Sequence, residues 1–275
     1  MIVDRLHKDQ AGEASIKMLY NPKFPLLAYL RSVIGVILTF TLFFIVILIL
    51  IPILVLSLGS FKNFLIKYFG AALGHTIMFF FGVRIRYDYS LYKPKSPAVF
   101  ISNHSSTIDM FAIISMMLTN VRYVAKYELQ YNPLIFAIGH LTGQIFINRQ
   151  DSAKAVAKLK KTYEKVKREG LSLFIAPEGT RKHDTIVGKF KKGAFHSARD
   201  LNYPIVPVYI DGAFTLCSGD GMLSLPGEII LRYYPPISTE GWDDQKMNDE
   251  ISRLERFYEE LYRETFNRQG LNLPV

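Results

Sequence analysis

A chain of 275 residues has room for one sizeable catalytic core with an appendage, and not for two full enzymatic domains. It is 49% hydrophobic, yet 33 Lys and Arg against 24 Asp and Glu give a net charge of +9, which points to anionic lipid, small anionic substrates or nucleic acid as partners. The single cysteine, Cys217, excludes an internal disulfide, and without paired cysteines or an HExxH run no structural zinc or zincin-type metal site is expected.

Residues 1–31 form a basic N-terminal segment. From 32 to 58 the chain reads SVIGVILTFTLFFIVILILIPILVLSL, without one charge. As a single helix this run would be about 40 Å long, more than the ~30 Å hydrocarbon core, so it is read as a retained membrane helix. A signal peptide would have a shorter apolar core nearer the N-terminus. Pro52 predicts a kink or break near Ile51, because its ring removes one helical hydrogen bond. A second apolar stretch, 64–83, carries Lys67 and His75 and is read as interfacial or re-entrant, with His75 a packing residue. Together the two stretches predict an N-terminal membrane-embedded helical hairpin over 32–86, both flanks on one side. Basic residues on both flanks leave its orientation open.

Residues 87–275 read as one catalytic domain. Short β-rich runs at 98–102, 122–125, 144–148, 171–176, 205–210 and 228–234 alternate with helical segments, which predicts an α/β fold with a mostly parallel sheet flanked by helices. One helix starts at Asp151 or Ser152, repeats apolar residues at Val156, Leu159, Tyr163 and Val166, and ends at Gly170. Its lysines read as a solvated face. A last amphipathic helix is expected over 244–267. No nucleic-acid recognition motif accompanies the positive charge, which travels instead with a membrane anchor.

The strand at 98–102 runs directly into Asn103-His104-Ser105-Ser106-Thr107-Ile108-Asp109. If the serines and threonine open a helix, His104 and Asp109 face each other across its first turn. A carboxylate there fixes the imidazole tautomer and leaves the other ring nitrogen free to take a proton from a hydroxyl. Ser, Thr and Asp are equally common capping residues, so local rules alone do not choose between catalysis and capping.

The run NHSSTID resembles the NHxxxxD box of the glycerolipid acyltransferases, particularly the bacterial 1-acyl-glycerol-3-phosphate acyltransferases. Further boxes follow in order. Lys126-Tyr127-Glu128-Leu129 is similar to the family's KxEL stretch, and 143–149 (GQIFINR) to its second box. Residues 174–181 (FIAPEGTR) resemble its FPEGTR box, and 205–208 (IVPV) its fourth. Ala176 and Asn148 depart from the residues usual at those positions. Residues 189–193 (KFKKG) are also similar to a family segment.

The resemblance implies acyl transfer from a thioester, acyl-CoA or acyl carrier protein, to the free hydroxyl of 1-acyl-glycerol-3-phosphate, giving phosphatidic acid, with no other cofactor. An acyl thioester is already activated, so the enzyme must supply a base and positioning rather than a covalent intermediate. His104 is expected as the base and Asp109 as its orienting partner. Asn103, Lys126, Arg149, Glu178, Gly179 and Arg181 are expected at the substrate, with the arginines and backbone N–H groups suited to a phosphate monoester. Because Glu178 cannot favour a dianion, it is expected to orient an arginine or the glycerol hydroxyl. The resemblance further implies an inner or plasma membrane location with the catalytic domain on the cytoplasmic side. Another lysophospholipid or a lyso-aminolipid as acceptor, and a non-enzymatic lipid-binding scaffold, are the competing readings.

Overall fold

The computed structural model describes residues 24–147, 161–179, 187–217 and 221–270, with the backbone alone for Leu134. A seven-stranded sheet is built from β1 (Val83–Asp88), β2 (Val99–Ser102), β3 (Val121–Lys126), β4 (Ile145–Ile147), β5 (Ser172–Ile175), β6 (Ile205–Asp211) and β7 (Gly227–Tyr233). Their spatial order is β1-β7-β6-β2-β5-β3-β4. From β6 to β4 neighbouring strands are parallel; β7 runs antiparallel to β6, and β1 is parallel to β7. The sheet is thus mostly parallel and mixed at one end.

All six strands expected from the sequence are present. The first, β1, was not expected, and the sequence boundary at 86/87 falls inside it. Its alternation Val83, Ile85, Tyr87 against Arg84, Arg86, Asp88 is a period-2 pattern that follows directly on an apolar helix, so it reads as the tail of that helix.

The central strands are buried on both faces, as parallel strands between helical layers must be. On one face Phe100, Phe174, Val206, Val208 and Ile210 pack with Ile77, Phe81, Ile108 and Phe111. This layer comes from α1 (Leu26–Leu56), the helical stretch 62–80 ending in α2 (Gly70–Phe80), and α3 (Asp109–Ile114). On the other face Val99, Ile101, Leu173, Ile205 and Tyr209 pack with Val166, Phe195, Leu254, Tyr258 and Tyr262. Those come from α5 (161–168), α6 (Gly193–Leu201) and α8 (Asp244–Arg268), with α4 (Pro133–Thr142) and α7 (Ala213–Leu216) between strands. The expected stop at Gly170 is present with a φ of +58°, a left-handed conformation that glycine adopts freely. The start of that helix at 151–160 lies outside the described residues.

The helix α1 is long and apolar enough to cross a membrane. It begins earlier than the charge-free run, because Arg31 lies inside it and reaches back to the catalytic domain. Of the kink or break expected at Pro52, the break does not occur: the helix continues through the proline, which costs one intrahelical bond while the turns on either side remain intact. The returning stretch 62–80 packs antiparallel to it, with Gly35 against Phe80 and Phe81.

The hairpin is tied to the domain at both ends. Near its start Arg31 Nη2 donates to Ser224 O at 2.9 Å, and Ser224 N donates to Ser32 Oγ at 3.0 Å. Past its turn Arg122 Nη2 donates to Asn63 Oδ1 at 2.8 Å, and Lys62 pairs with Glu169 at 3.7 Å. A hairpin projecting through a bilayer would carry residues 62 and 63 about 30 Å from the domain. These bonds instead hold α1 alongside it.

Candidate active site

The carboxyl ends of β2, β5 and β3 lie side by side, the place where open α/β sheets collect their sites. From β2 the chain turns through 103–108 into α3. Asp109, fully buried at the start of that helix, folds its side chain back over the turn. Its Oδ2 accepts from Ser105 N and Ser106 N, each at 2.7 Å, and meets His104 Nδ1 at 3.2 Å. Capping and orientation of the imidazole are therefore one device, and the two alternatives left open by local sequence rules coexist. The His104 side chain is 26% exposed, and among the described residues nothing hydrogen-bonds its Nε2.

Three other segments clamp the same turn. Asn103 Oδ1 accepts from Ile210 N at 2.8 Å, while its Nδ2 donates to Ile210 O at 3.1 Å and to Tyr262 Oη at 2.8 Å. Ser106 Oγ donates to Cys217 O at 2.6 Å. The expectation that Asn103 contacts substrate is corrected: its amide is completely buried and bonded to β6 and α8, so it fixes the strand end that carries His104.

Glu178 follows β5 and is also buried. Its Oε1 accepts from His104 N and its Oε2 from Gly188 N, both at 2.8 Å. Its carboxylate thus bridges the backbone of the histidine turn to that of 187–190. Burial drives its carboxyl up to about 7, outweighing the two N–H donors that favour ionisation. A Cβ on Gly188 would stand 3.1 Å from Glu178 Oε2, so any larger residue there would press on the carboxylate. Gly179 follows with a φ of +69°, again a conformation that glycine adopts without strain.

Lys126 ends β3 on the same edge and is exposed. Arg149 and Arg181 lie outside the described residues. His75 bonds Tyr87, and His140 lies between Phe136 and Phe146.

Tyr258 and Tyr262 also hold the site, without a motif in the sequence to mark them. They stand one turn apart on α8 and carry hydroxyls into the sheet, Tyr258 to Ile101 O and Val208 O, Tyr262 to Asn103. The sequence signal was their place on the apolar face of an amphipathic helix, which predicts burial but not the target of a hydroxyl.

Residues 84–211 match the protein family described as Acyltransferase. A 1-acyl-sn-glycerol-3-phosphate acyltransferase of Limnanthes douglasii is 31% identical over 190 residues, 69% of this chain and 67% of that protein. One from Saccharomyces cerevisiae is 35% identical over 157 residues, 56% of this chain and 52% of that protein. The crystal structure of the 1-acyl-sn-glycerophosphate (LPA) acyltransferase PlsC from Thermotoga maritima shares the fold with a TM-score of 0.62 at 22% identity, covering 84% of this chain and 97% of that one.

Proposed function

The chain belongs to the glycerolipid acyltransferase family, and we propose that it acylates the free hydroxyl of 1-acyl-glycerol-3-phosphate from an acyl thioester, giving phosphatidic acid. The donor is acyl-CoA or acyl carrier protein, and no further cofactor takes part. His104 Nε2 removes the hydroxyl proton as the oxygen attacks the thioester carbonyl. The tetrahedral adduct collapses, the C–S bond breaks, and the imidazolium returns the proton to the departing thiolate. Asp109 holds Nδ1 as the N–H donor and stabilises the transient imidazolium.

The observation that carries this reading is the histidine itself, with Nδ1 held by a buried carboxylate, Nε2 without a partner among the described residues, and its backbone N–H held by Glu178. Lys126, Arg149, Gly179 and Arg181 form the acceptor's phosphate site, arginine supplying paired donors and Lys126 a point charge. The protein works at the membrane, its catalytic domain on the cytoplasmic side where thioester donors are made. The test is detergent-solubilised protein offered a panel of lysolipids with acyl-CoA or acyl carrier protein, with products identified by mass. His104→Ala should lower turnover of lysophosphatidate by about 10²- to 10⁴-fold without loss of fold. Activity within about threefold of the parent would remove His104 as the base.

A further inference from the structure

From Lys126, at the active edge of the sheet, the chain passes directly into a helical turn, Tyr127–Tyr131, and then into α4. The sequence of α4, PLIFAIGHLT, contains no acidic residue, lysine or arginine. A helix covering the edge strand of a soluble sheet is expected to show a polar outer face. Here Gly139 is turned inward, so close that a Cβ would stand 2.4 Å from the Phe146 ring, and Ile135 and Phe136 are left outside. Leu129 is 44% exposed, Phe136 48% and Tyr131 77%.

This exposure is not scattered. The helix α4 touches both α1 and the helical turn Lys62–Phe64, where Leu56, Phe61 and Phe64 are also exposed. The apolar surface of the hairpin therefore continues onto the catalytic domain, and continuous apolar surface of this kind marks an interaction site. Whatever medium covers the charge-free run of a helix of membrane-spanning length covers its neighbour as well. Around the patch stand Tyr68 with Lys67 over its ring, and Tyr127 against Tyr131, side chains suited to the headgroup level. The exposed charges of the segment, Lys126 and Glu128, stand at its start, beside the sheet edge.

We propose that residues 127–136 are a second membrane-docking element, which seats the active edge of the sheet at the boundary between headgroups and acyl chains of the leaflet that α1 occupies. A lysolipid acceptor then reaches His104 with its acyl chain still in the leaflet. The last step rests on the function proposed above; the docking itself does not.

The experiment places tryptophan at Tyr131 or Phe136 in the full chain, reconstituted into phosphatidylcholine vesicles whose acyl chains are brominated near the headgroup. Trp242, packed in the opposite core, stays as internal reference. Relative to unbrominated vesicles, emission from Tyr131→Trp and Phe136→Trp should fall by about half, as at Phe44→Trp on the exposed face of α1, while Arg253→Trp on the outer face of α8 is unchanged. Quenching at position 44 without quenching at 131 and 136 would overturn the proposal and leave that face to a protein partner. In a second arm, Phe136→Glu should raise the KM for acceptor embedded in vesicles by about tenfold, with a short-chain water-soluble acceptor affected less than about twofold. Equal loss on both acceptors would also overturn it. Because quenching requires no turnover, a chain inactive on lysophosphatidate would count against the proposed function and not against the docking surface.

Discussion

Replacing Asp109 by Asn separates two things a carboxylate does for a histidine: fixing its tautomer and supplying charge. The hydrogen-bond pattern decides which one survives. Asp109 Oδ2 receives three donors, two of them backbone N–H groups at 2.7 Å, whereas Oδ1 has no partner among the described residues. An asparagine with its oxygen at the Oδ2 position keeps all three contacts. The flipped amide would set its NH₂ against Ser105 N and Ser106 N, at roughly 1 to 3 kcal/mol for each stranded donor, or about 2 to 6 in total. The unflipped form therefore dominates and the Nδ1–H tautomer is retained. What disappears is the charge opposite the imidazolium, and exchanging a charge-assisted bond for a neutral one should lower kcat by about 10- to 100-fold. Loss of the tautomer in a comparable histidine–carboxylate pair costs about 10⁴-fold. The measurement is initial rate against acceptor concentration, with acceptor KM expected near the parent value and a lower melting temperature, since the new NH₂ has no acceptor. A loss of about 10⁴-fold in a folded variant would show that the backbone does not hold the oxygen in place.

Three further outcomes are expected. Glu178 has its folded-state pKa raised from 4.5 to about 7, so its stabilising contribution is complete below pH about 4.5 and lost as pH rises through about 7, a swing of roughly 3 kcal/mol; Glu178→Gln should flatten that slope in denaturant titrations. The same variant sets an NH₂ against one of two backbone donors and should lower kcat by displacing His104, acceptor KM changing less. Arg122 is almost wholly buried and ties the hairpin turn to β3 through Asn63, so Arg122→Met should cost about 1 to 3 kcal/mol and expose residues 57–63 to protease.

The sheet was legible because its strands are apolar runs bounded by turn residues, and the histidine turn was legible because NHSSTID stands at the end of one of them. β1 was not, since its alternation begins where an apolar helix stops. The posture of the hairpin was also beyond reach of the sequence: its two ties, Arg31 to Ser224 and Asn63 to Arg122, join residues 193 and 59 positions apart. Glu178 and Asn103 were recognised as belonging to the site, while the backbone contacts they make were not legible, for one shared reason. Their partners are backbone N–H and C=O groups, which every residue carries, so no pattern of residue types announces them.

That shared reason bears on how the site is built. The His104 side chain is partly open, whereas Asn103, Ser106, Asp109 and Glu178 are buried, and each bonds the turn to a different part of the chain. Asn103 links it to β6 and α8, Ser106 to the end of α7, Asp109 to the start of α3, and Glu178 to the segment at 187–190. An activated thioester asks little of an enzyme beyond holding an alcohol, a base and a carbonyl within reacting distance, and there an error of about 1 Å can cost about 10²-fold. A turn fixed from four directions leaves the imidazole little freedom except at the face it offers to substrate. On the function and docking proposed above, the flexible element of the encounter is the lipid, which approaches from the apolar surface running from α1 to α4.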